Sequence, residues 1–92
     1  MSSDPIHPGK TLAKEFIANR GLSQRSVANL LGVSYCTVND IARGHRTITA
    51  EMSLRLGKLF GQPDDYWLEL QHRYDLQIAR ETVDLAGIKP IT

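Results

Sequence analysis

A run of polar and aromatic residues after Ser34 has the side-chain chemistry needed to recognise a planar, hydrogen-bonding ligand. If this run is a helix, its outward positions are Tyr35, Cys36, Thr37, Asn39 and Asp40. Thr37 and Asn39 can hydrogen-bond to base edges, and Tyr35 and Cys36 can make apolar contact with a thymine methyl group. The pattern therefore predicts a helix that reads DNA bases in the major groove, chiefly with its N-terminal part.

Four residues around this run are suited to the sugar-phosphate backbone rather than to bases. They are Gln24, Ser34, Arg43 and Arg46. A glutamine at a helix start and arginines beside a reading helix can bind phosphate oxygens, and the alternative for each is an ordinary solvated surface. Ser34 is expected to cap its helix first, with a phosphate contact as a second role. Cys36 is not expected to be a reactive thiol, since no base or second cysteine accompanies it.

Two short helices within residues 22–46 would position these side chains. Ser23 and Ser34 are suitable N-caps for the two helices. Gly32 can adopt the positive φ that turns the chain sharply from the first helix into the second. Ala28 is small enough to let the helices cross closely. The stretch is therefore predicted to be a helix-turn-helix whose second helix carries the reading residues.

The remainder of the chain also has the pattern of helices separated by glycine and proline. Further helices are expected at 8–21, 49–61 and 63–81, the last with Pro63 in its first position. Residues 82–92 are expected to form an irregular or briefly extended tail. The sequence thus predicts an all-α protein, with one domain over residues 1–92, five helices and a long C-terminal helix.

The fifth helix carries an apolar stripe that is longer than one small domain can cover. The stripe consists of Trp67, Leu70, Tyr74 and Ile78 at helical spacing. Trp67 and Leu70 are expected to close the core over the first and fourth helices. The candidates for a two-fold interface are Tyr66, Tyr74, Leu76 and Ile78. A homodimer also suits DNA recognition, because one helix-turn-helix contacts only a half-site.

Charge is distributed unevenly along the chain. The net charge is +1, but residues 1–46 hold six Lys/Arg against three Asp/Glu, and residues 47–92 hold five against seven. These halves carry +3 and −2. A basic half beside an acidic half indicates that one face of the protein meets phosphate, although chance differences of this size also occur in small domains.

The composition argues against several other classes of protein. No apolar run approaches the ~20 residues needed to span a bilayer, and residues 1–10 lack the apolar segment of a secretory signal. His7, His45 and His72 are scattered, and the single cysteine suits neither a disulfide nor zinc. His7 is expected to make a local hydrogen bond before a helix. We therefore expect a cytoplasmic protein with no enzymatic activity, metal, cofactor or small-molecule substrate.

Several motifs together resemble one known family, over roughly residues 6–81. They are His7-Pro8-Gly9, the Gly-Leu-Ser-Gln at 21–24, Ile48-Thr49, the Phe-Gly-Gln-Pro-Asp-Asp-Tyr-Trp-Leu-Glu-Leu-Gln run at 60–71, and Tyr74-Asp75-Leu76. This combination resembles the HigA antitoxins, within the wider group of phage-repressor-like regulators. The aromatic-Trp-Leu-x-Leu-Gln part at 66–71 is the most specific motif, because bare repressor domains of this class do not usually carry it.

The resemblance implies a lambda-repressor-like fold and a cytoplasmic antitoxin. Such a protein represses its own operon as a homodimer on operator DNA and binds a small HigB-type toxin, a ribosome-dependent mRNA endonuclease. Two alternatives remain open from the residues alone. One is a solitary repressor without a toxin, and the other is a protein-interaction module that has lost DNA binding. Gln24, Arg43 and Arg46 favour DNA binding, since a module freed from DNA has no need of them.

Overall fold

The computed structural model describes residues 5–91, and within that range every regular element is helical. The first helical stretch begins at Pro8, as expected. It is an α-helix over Pro8–Thr11 (α1), a π-helix over Leu12–Ile17 and a 3₁₀-helix over Ala18–Arg20, and it ends at Gly21 with φ +69°. The wider π turn places Leu12 and Ile17, five residues apart, together in the core. The all-α prediction is confirmed, and the π geometry was not foreseen.

The two helices of the predicted helix-turn-helix begin directly after the expected N-caps, Ser23 and Ser34. Helix α2 spans Gln24–Leu31 and helix α3 spans Tyr35–Ala42. Ser23 caps α2 through the backbone N–H of Ser26, and Ser34 caps α3 through the backbone N–H of Thr37. Gly32 has φ +75° between the two helices, where a residue with a side chain would be strained. Local signals in the sequence therefore set both helix starts and the turn.

Helix α4 spans Ala50–Phe60, close to the predicted 49–61, and Thr49 is its N-cap. Helix α5 spans Tyr66–Thr82, so the prediction that it begins at Pro63 is wrong. Residues 63–65 form a turn instead, in which the backbone N–H of Tyr66 donates to the carbonyl of Pro63. The hydroxyl of Ser53 on α4 donates to the Asp64 carbonyl at 2.7 Å and accepts the backbone N–H of Leu68 at 3.0 Å. This tertiary contact holds the turn and delays the helix start.

The core lies between the first helical stretch, α2, α3, α4 and the start of α5. Its fully buried members include Leu12, Val27, Val38, Ile41, Ile48, Leu56 and Trp67. The Trp67 ring meets the half-buried Phe16 ring edge-on at a centroid distance of 5.0 Å, and Leu70 packs against the same cluster. Trp67 and Leu70 thus close the core over the first helical stretch and α4, as the apolar stripe predicted.

The N-terminal end of α1 is fixed to both α3 and α5. His7 is buried, and its Nδ1 accepts the backbone N–H of Gly9 at 2.9 Å, which is the local hydrogen bond expected for it. Its ring meets the Tyr74 ring of α5 edge-on at 5.0 Å. Gly9 packs directly on the backbone of Ile41 in α3. The first helical turn is therefore part of the scaffold that holds α3.

After α5, residues 83–91 contain a turn but no helix or strand. Thr82, predicted to begin the tail, is instead the last residue of α5, and Thr92 lies outside the described residues. Residues 83–91 are exposed throughout, including Val83, Leu85 and Ile88. Within residues 5–91 no helix is long and apolar enough to cross a membrane.

Candidate nucleic-acid interface

Helix α3 buries one face and presents the other to solvent. Val38, Ile41 and Ala42 are buried against the rest of the domain. Tyr35 and Cys36 are exposed, and Thr37, Asn39 and Asp40 are half-buried along the outer side. The five residues selected as outward-facing from the sequence therefore all retain solvent access on one helix.

The side chain of Asn39 forms the centre of a small polar network. Its Nδ2 donates a hydrogen bond to Oε1 of Gln24 at 3.0 Å and a longer one to the hydroxyl of Tyr35 at 3.4 Å. Gln24 is the first residue of α2, so this contact ties α2 to α3 beside the outer face. The sequence suggested Gln24 as a phosphate contact only; its pairing with a reading residue was not foreseen.

Ser34 and Thr37 form a second pair at the N-terminal end of α3. Their hydroxyl oxygens lie 2.9 Å apart, and the Ser34 oxygen also accepts the backbone N–H of Thr37 at 3.2 Å. The capping role predicted for Ser34 is confirmed. Since a hydroxyl can donate one hydrogen bond and accept two, both side chains keep capacity for a further partner.

The two arginines at the C-terminal side of α3 differ in their surroundings. Arg43 is exposed and follows the last helical residue. Arg46 lies 3.7 Å from Asp40, nitrogen to oxygen, and both side chains are about half exposed. Arg46 therefore offsets the negative charge of Asp40, which would otherwise repel phosphate from the outer face of α3.

Arg25 belongs to this surface and was missed in the sequence. Its guanidinium carbon lies 4.4 Å from the ring centroid of Tyr35, which is a cation–π arrangement between α2 and α3. Arg25 is exposed and directly follows Gln24, so it adds a third arginine beside the outer face of α3. The only sequence feature that pointed to this role was its position directly after Gln24, which was predicted to contact phosphate.

Gln71 supports the loop that follows α3, and it too was missed. This side chain is buried; its Oε1 accepts the backbone N–H of Ile48 at 2.9 Å and its Nε2 donates to Asp75 at 2.9 Å. The contact joins α5 to the segment that carries Arg46. Gln71 lies 23 residues after Ile48 in the sequence, so local sequence patterns do not reveal this contact.

The proposed interface residues of α5 are not equivalent. Leu76 is 52% exposed and Tyr66 is 37% exposed. Tyr74 and Ile78 are half-buried, and Tyr74 already packs on His7. Leu76 and Tyr66 are consequently the members of the set with the most area left for a partner.

Within residues 5–91 no group of three or more His, Cys, Asp or Glu side chains is arranged to hold a metal ion. Cys36 is exposed on α3. The chemistry that the surface offers is therefore hydrogen bonding and positive charge, from Gln24, Arg25 and Asn39 and from the arginines after α3.

Comparison with known proteins gives a consistent result. The family model described as Helix-turn-helix (HTH_3) matches residues 14–67. The chain is 42% identical over 76 residues to "Virulence-associated protein I" of Dichelobacter nodosus, covering 83% of this chain and 70% of that protein. The antitoxin HigA of Pseudomonas aeruginosa, solved with the higBA promoter, has 37% identity and a TM-score of 0.85, covering 96% and 99% of the two chains. An addiction module antidote protein of a HigA family from Coxiella burnetii has 39% identity and a TM-score of 0.81, covering 86% of each chain.

Proposed function

The chain belongs to the helix-turn-helix family HTH_3, among the HigA-type antitoxins, and from this premise we propose that it is an antitoxin that represses its own operon. It binds operator DNA as a homodimer in the cytoplasm and neutralises a HigB-type toxin. It performs no catalysis itself.

The observation that carries the DNA-binding part is the outer face of α3. That face presents Tyr35, Thr37 and Asn39 between basic residues on α2 and after α3. A helix of eight residues with an exposed polar face and flanking arginines fits the major groove, with base contacts on the helix and phosphate contacts at its sides. The solved complex of the similar HigA protein with a promoter supports the same use of the fold.

The homodimer follows from the geometry of recognition. One α3 reads only a half-site, so a palindromic operator needs two copies with their half-sites about 10 base pairs apart or a multiple of that. The exposed Leu76 and Tyr66 on α5 give a surface through which two copies would associate. We assign Leu76, Tyr66, Tyr74 and Ile78 to that interface.

The toxin partner rests on family membership rather than on a recognised docking site. The relatives named above include an antitoxin HigA and an antidote protein, and both terms describe proteins that act against a toxin. Co-expression with the product of the neighbouring gene tests this part. Restored growth and a co-purified complex are expected, whereas a harmless neighbour and no complex would leave a solitary repressor.

Fluorescence anisotropy with duplexes tiled from the region upstream of the gene tests the DNA-binding part. The wild type should prefer one duplex over a scrambled duplex of the same composition. Asn39→Ala should cost about 1–3 kcal/mol on the operator and little on the scrambled duplex. Asn29→Ala, an exposed change on α2 outside the polar network, is the matched control and should match the wild type. If the wild type binds both duplexes equally or neither, the protein-interaction alternative replaces this proposal.

A further inference from the structure

The Asn39 amide is not free to rotate on the outer face of α3. A side-chain amide has two N–H donors on its nitrogen and one carbonyl acceptor. Both donors of Asn39 are engaged within the protein, one by Gln24 at 3.0 Å and the other by the Tyr35 hydroxyl at 3.4 Å. Within residues 5–91 no hydrogen bond engages Asn39 Oδ1. The carbonyl oxygen is therefore the group that Asn39 has left to offer.

The two acceptors lie on different helices. Gln24 is the first residue of α2, which packs closely on α3. Tyr35 lies one helical turn before Asn39 on α3, and the Arg25 guanidinium covers its ring at 4.4 Å. Turning the Asn39 amide over against Gln24 as it stands would replace the 3.0 Å hydrogen bond by a contact between two amide oxygens, whereas the Tyr35 hydroxyl could donate to either orientation. The Gln24 amide is therefore the partner that sets the orientation of Asn39.

From this geometry we infer that Gln24 is a positioning residue that makes Asn39 a hydrogen-bond acceptor towards DNA. This inference rests on the proposed DNA-binding function and specifies its chemistry. In the major groove the bases that present an amino group are adenine, through N6, and cytosine, through N4. Guanine and thymine present only acceptors there, so Asn39 rejects them.

The inference differs from the usual behaviour of an unpaired asparagine. A free Asn side chain binds adenine at two points, donating to N7 and accepting from N6. Here the donor to N7 is already used within the protein, so adenine is bound at one point. In return, the Tyr35 hydroxyl, which accepts from Asn39, keeps its own hydrogen to donate, and Gln24 keeps its Nε2 group for a phosphate.

Modified bases can distinguish recognition through one hydrogen bond from recognition through two. An operator duplex is first selected from a random-sequence pool with the wild-type protein. The base pair at which Asn39→Ala relaxes the preference identifies the contacted base. If that base is adenine, replacement by 7-deazaadenine should leave affinity unchanged, and removal of the N6 amino group should lower it roughly 5-fold. If it is cytosine, removal of the N4 amino group should have the same effect.

Gln24→Ala tests the positioning role directly. Without its partner the Asn39 nitrogen can turn outwards. If the contacted base is adenine, this variant should lose affinity when 7-deazaadenine replaces it. If the contacted base is cytosine, the variant should gain affinity for duplexes with adenine at that position. A uniform loss on all duplexes would show only a lost phosphate contact and would overturn the positioning role. Asn29→Ala, also on α2, is the control and should keep the wild-type base preference. Circular dichroism confirms that each variant is folded.

The outcomes distinguish this inference from the function on which it rests. If the random pool yields no enriched sequence, the proposed sequence-specific function fails. If a sequence is enriched but guanine or thymine faces Asn39, or if 7-deazaadenine weakens wild-type binding as much as loss of the amino group does, only the inference fails.

Discussion

The backbone of Gly9 lies so close to the carbonyl group of Ile41 that no side chain fits between them. A Cβ added to Gly9 would stand 2.6 Å from the carbonyl carbon of Ile41 and closer still to its oxygen. Gly9 is in the first turn of α1, and Ile41 is a buried residue of α3. The orientation of α3 is therefore tied to the N-terminal end of the domain.

Gly9→Ala is expected to destabilise the protein, because the clash is with backbone that cannot move without shifting α3. The loss should be about 2–3 kcal/mol in the free energy of unfolding, measured by urea denaturation. Gly87→Ala is the control, since a Cβ there meets no atom within 4 Å and the variant should stay within about 0.5 kcal/mol of the wild type. Equal stability of the two variants would contradict the close packing.

His7 is expected to make stability fall in mild acid. Its Nδ1 must be unprotonated to accept the Gly9 N–H, and burial lowers the pKa of His7 below its ordinary value of 6.5. Nearby Asp75 opposes this shift, and Lys10 reinforces it. The unfolded chain therefore binds the proton more readily than the folded one as pH falls below 6.5, and stability is lost at up to about 1.4 kcal/mol per pH unit.

Urea denaturation between pH 5 and pH 8 measures this effect. His7→Asn retains an oxygen that can accept the Gly9 N–H but does not titrate, so its stability should fall less in acid than that of the wild type. His72→Asn, on the exposed side of α5, should follow the wild-type profile. Identical profiles for His7→Asn and the wild type would show that His7 is not responsible.

Arg46→Ala is expected to weaken binding to operator and scrambled DNA alike, because the phosphate contact proposed for Arg46 carries no sequence information. The slope of log K against log salt should become shallower by about 1. Arg80→Ala removes the same charge from the C-terminal part of α5 and should leave the slope unchanged. A loss confined to the operator would instead assign Arg46 to base recognition.

Asp40→Asn is expected to act in the opposite direction. It removes a negative charge from the outer side of α3, which is proposed to face DNA, and releases Arg46, which lies 3.7 Å away. Both operator and scrambled DNA should be bound more tightly, with a steeper salt dependence. Anisotropy titrations at several salt concentrations test this, and weaker binding of both duplexes would show that Asp40 is needed chiefly to orient Arg46.

Leu76→Asp is expected to dissociate the proposed homodimer. A charge placed in the proposed apolar interface should weaken dimerisation about 10- to 100-fold, as measured by sedimentation equilibrium. Leu54→Asp on α4 is a closely matched control, since Leu54 is 53% exposed and Leu76 is 52% exposed. If Leu54→Asp rather than Leu76→Asp produced monomer, the interface would lie on α4 and not on α5.

Sequence by itself determined the helices whose ends depend on neighbouring residues. Ser23, Ser34 and Thr49 each cap a helix through a backbone N–H three residues ahead, and Gly32 supplies the left-handed turn. These interactions are complete within a few residues, so residue type and spacing reveal them. The outward face of α3 followed in the same way, because helical periodicity separates Val38 and Ile41 from their polar neighbours.

Only the tertiary structure decided features that depend on a distant partner. Ser53 holds the turn that delays α5 to Tyr66, and Gln24 reaches Asn39 across 15 residues of sequence. Pro63 had the correct local chemistry for a helix start, but the buried Ser53 hydroxyl on α4 binds the Asp64 carbonyl and the Leu68 N–H, which holds the turn before α5. The orientation of the Asn39 amide likewise depends on which side chains meet there, and that is fixed by how α2 packs on α3 rather than by either helix alone.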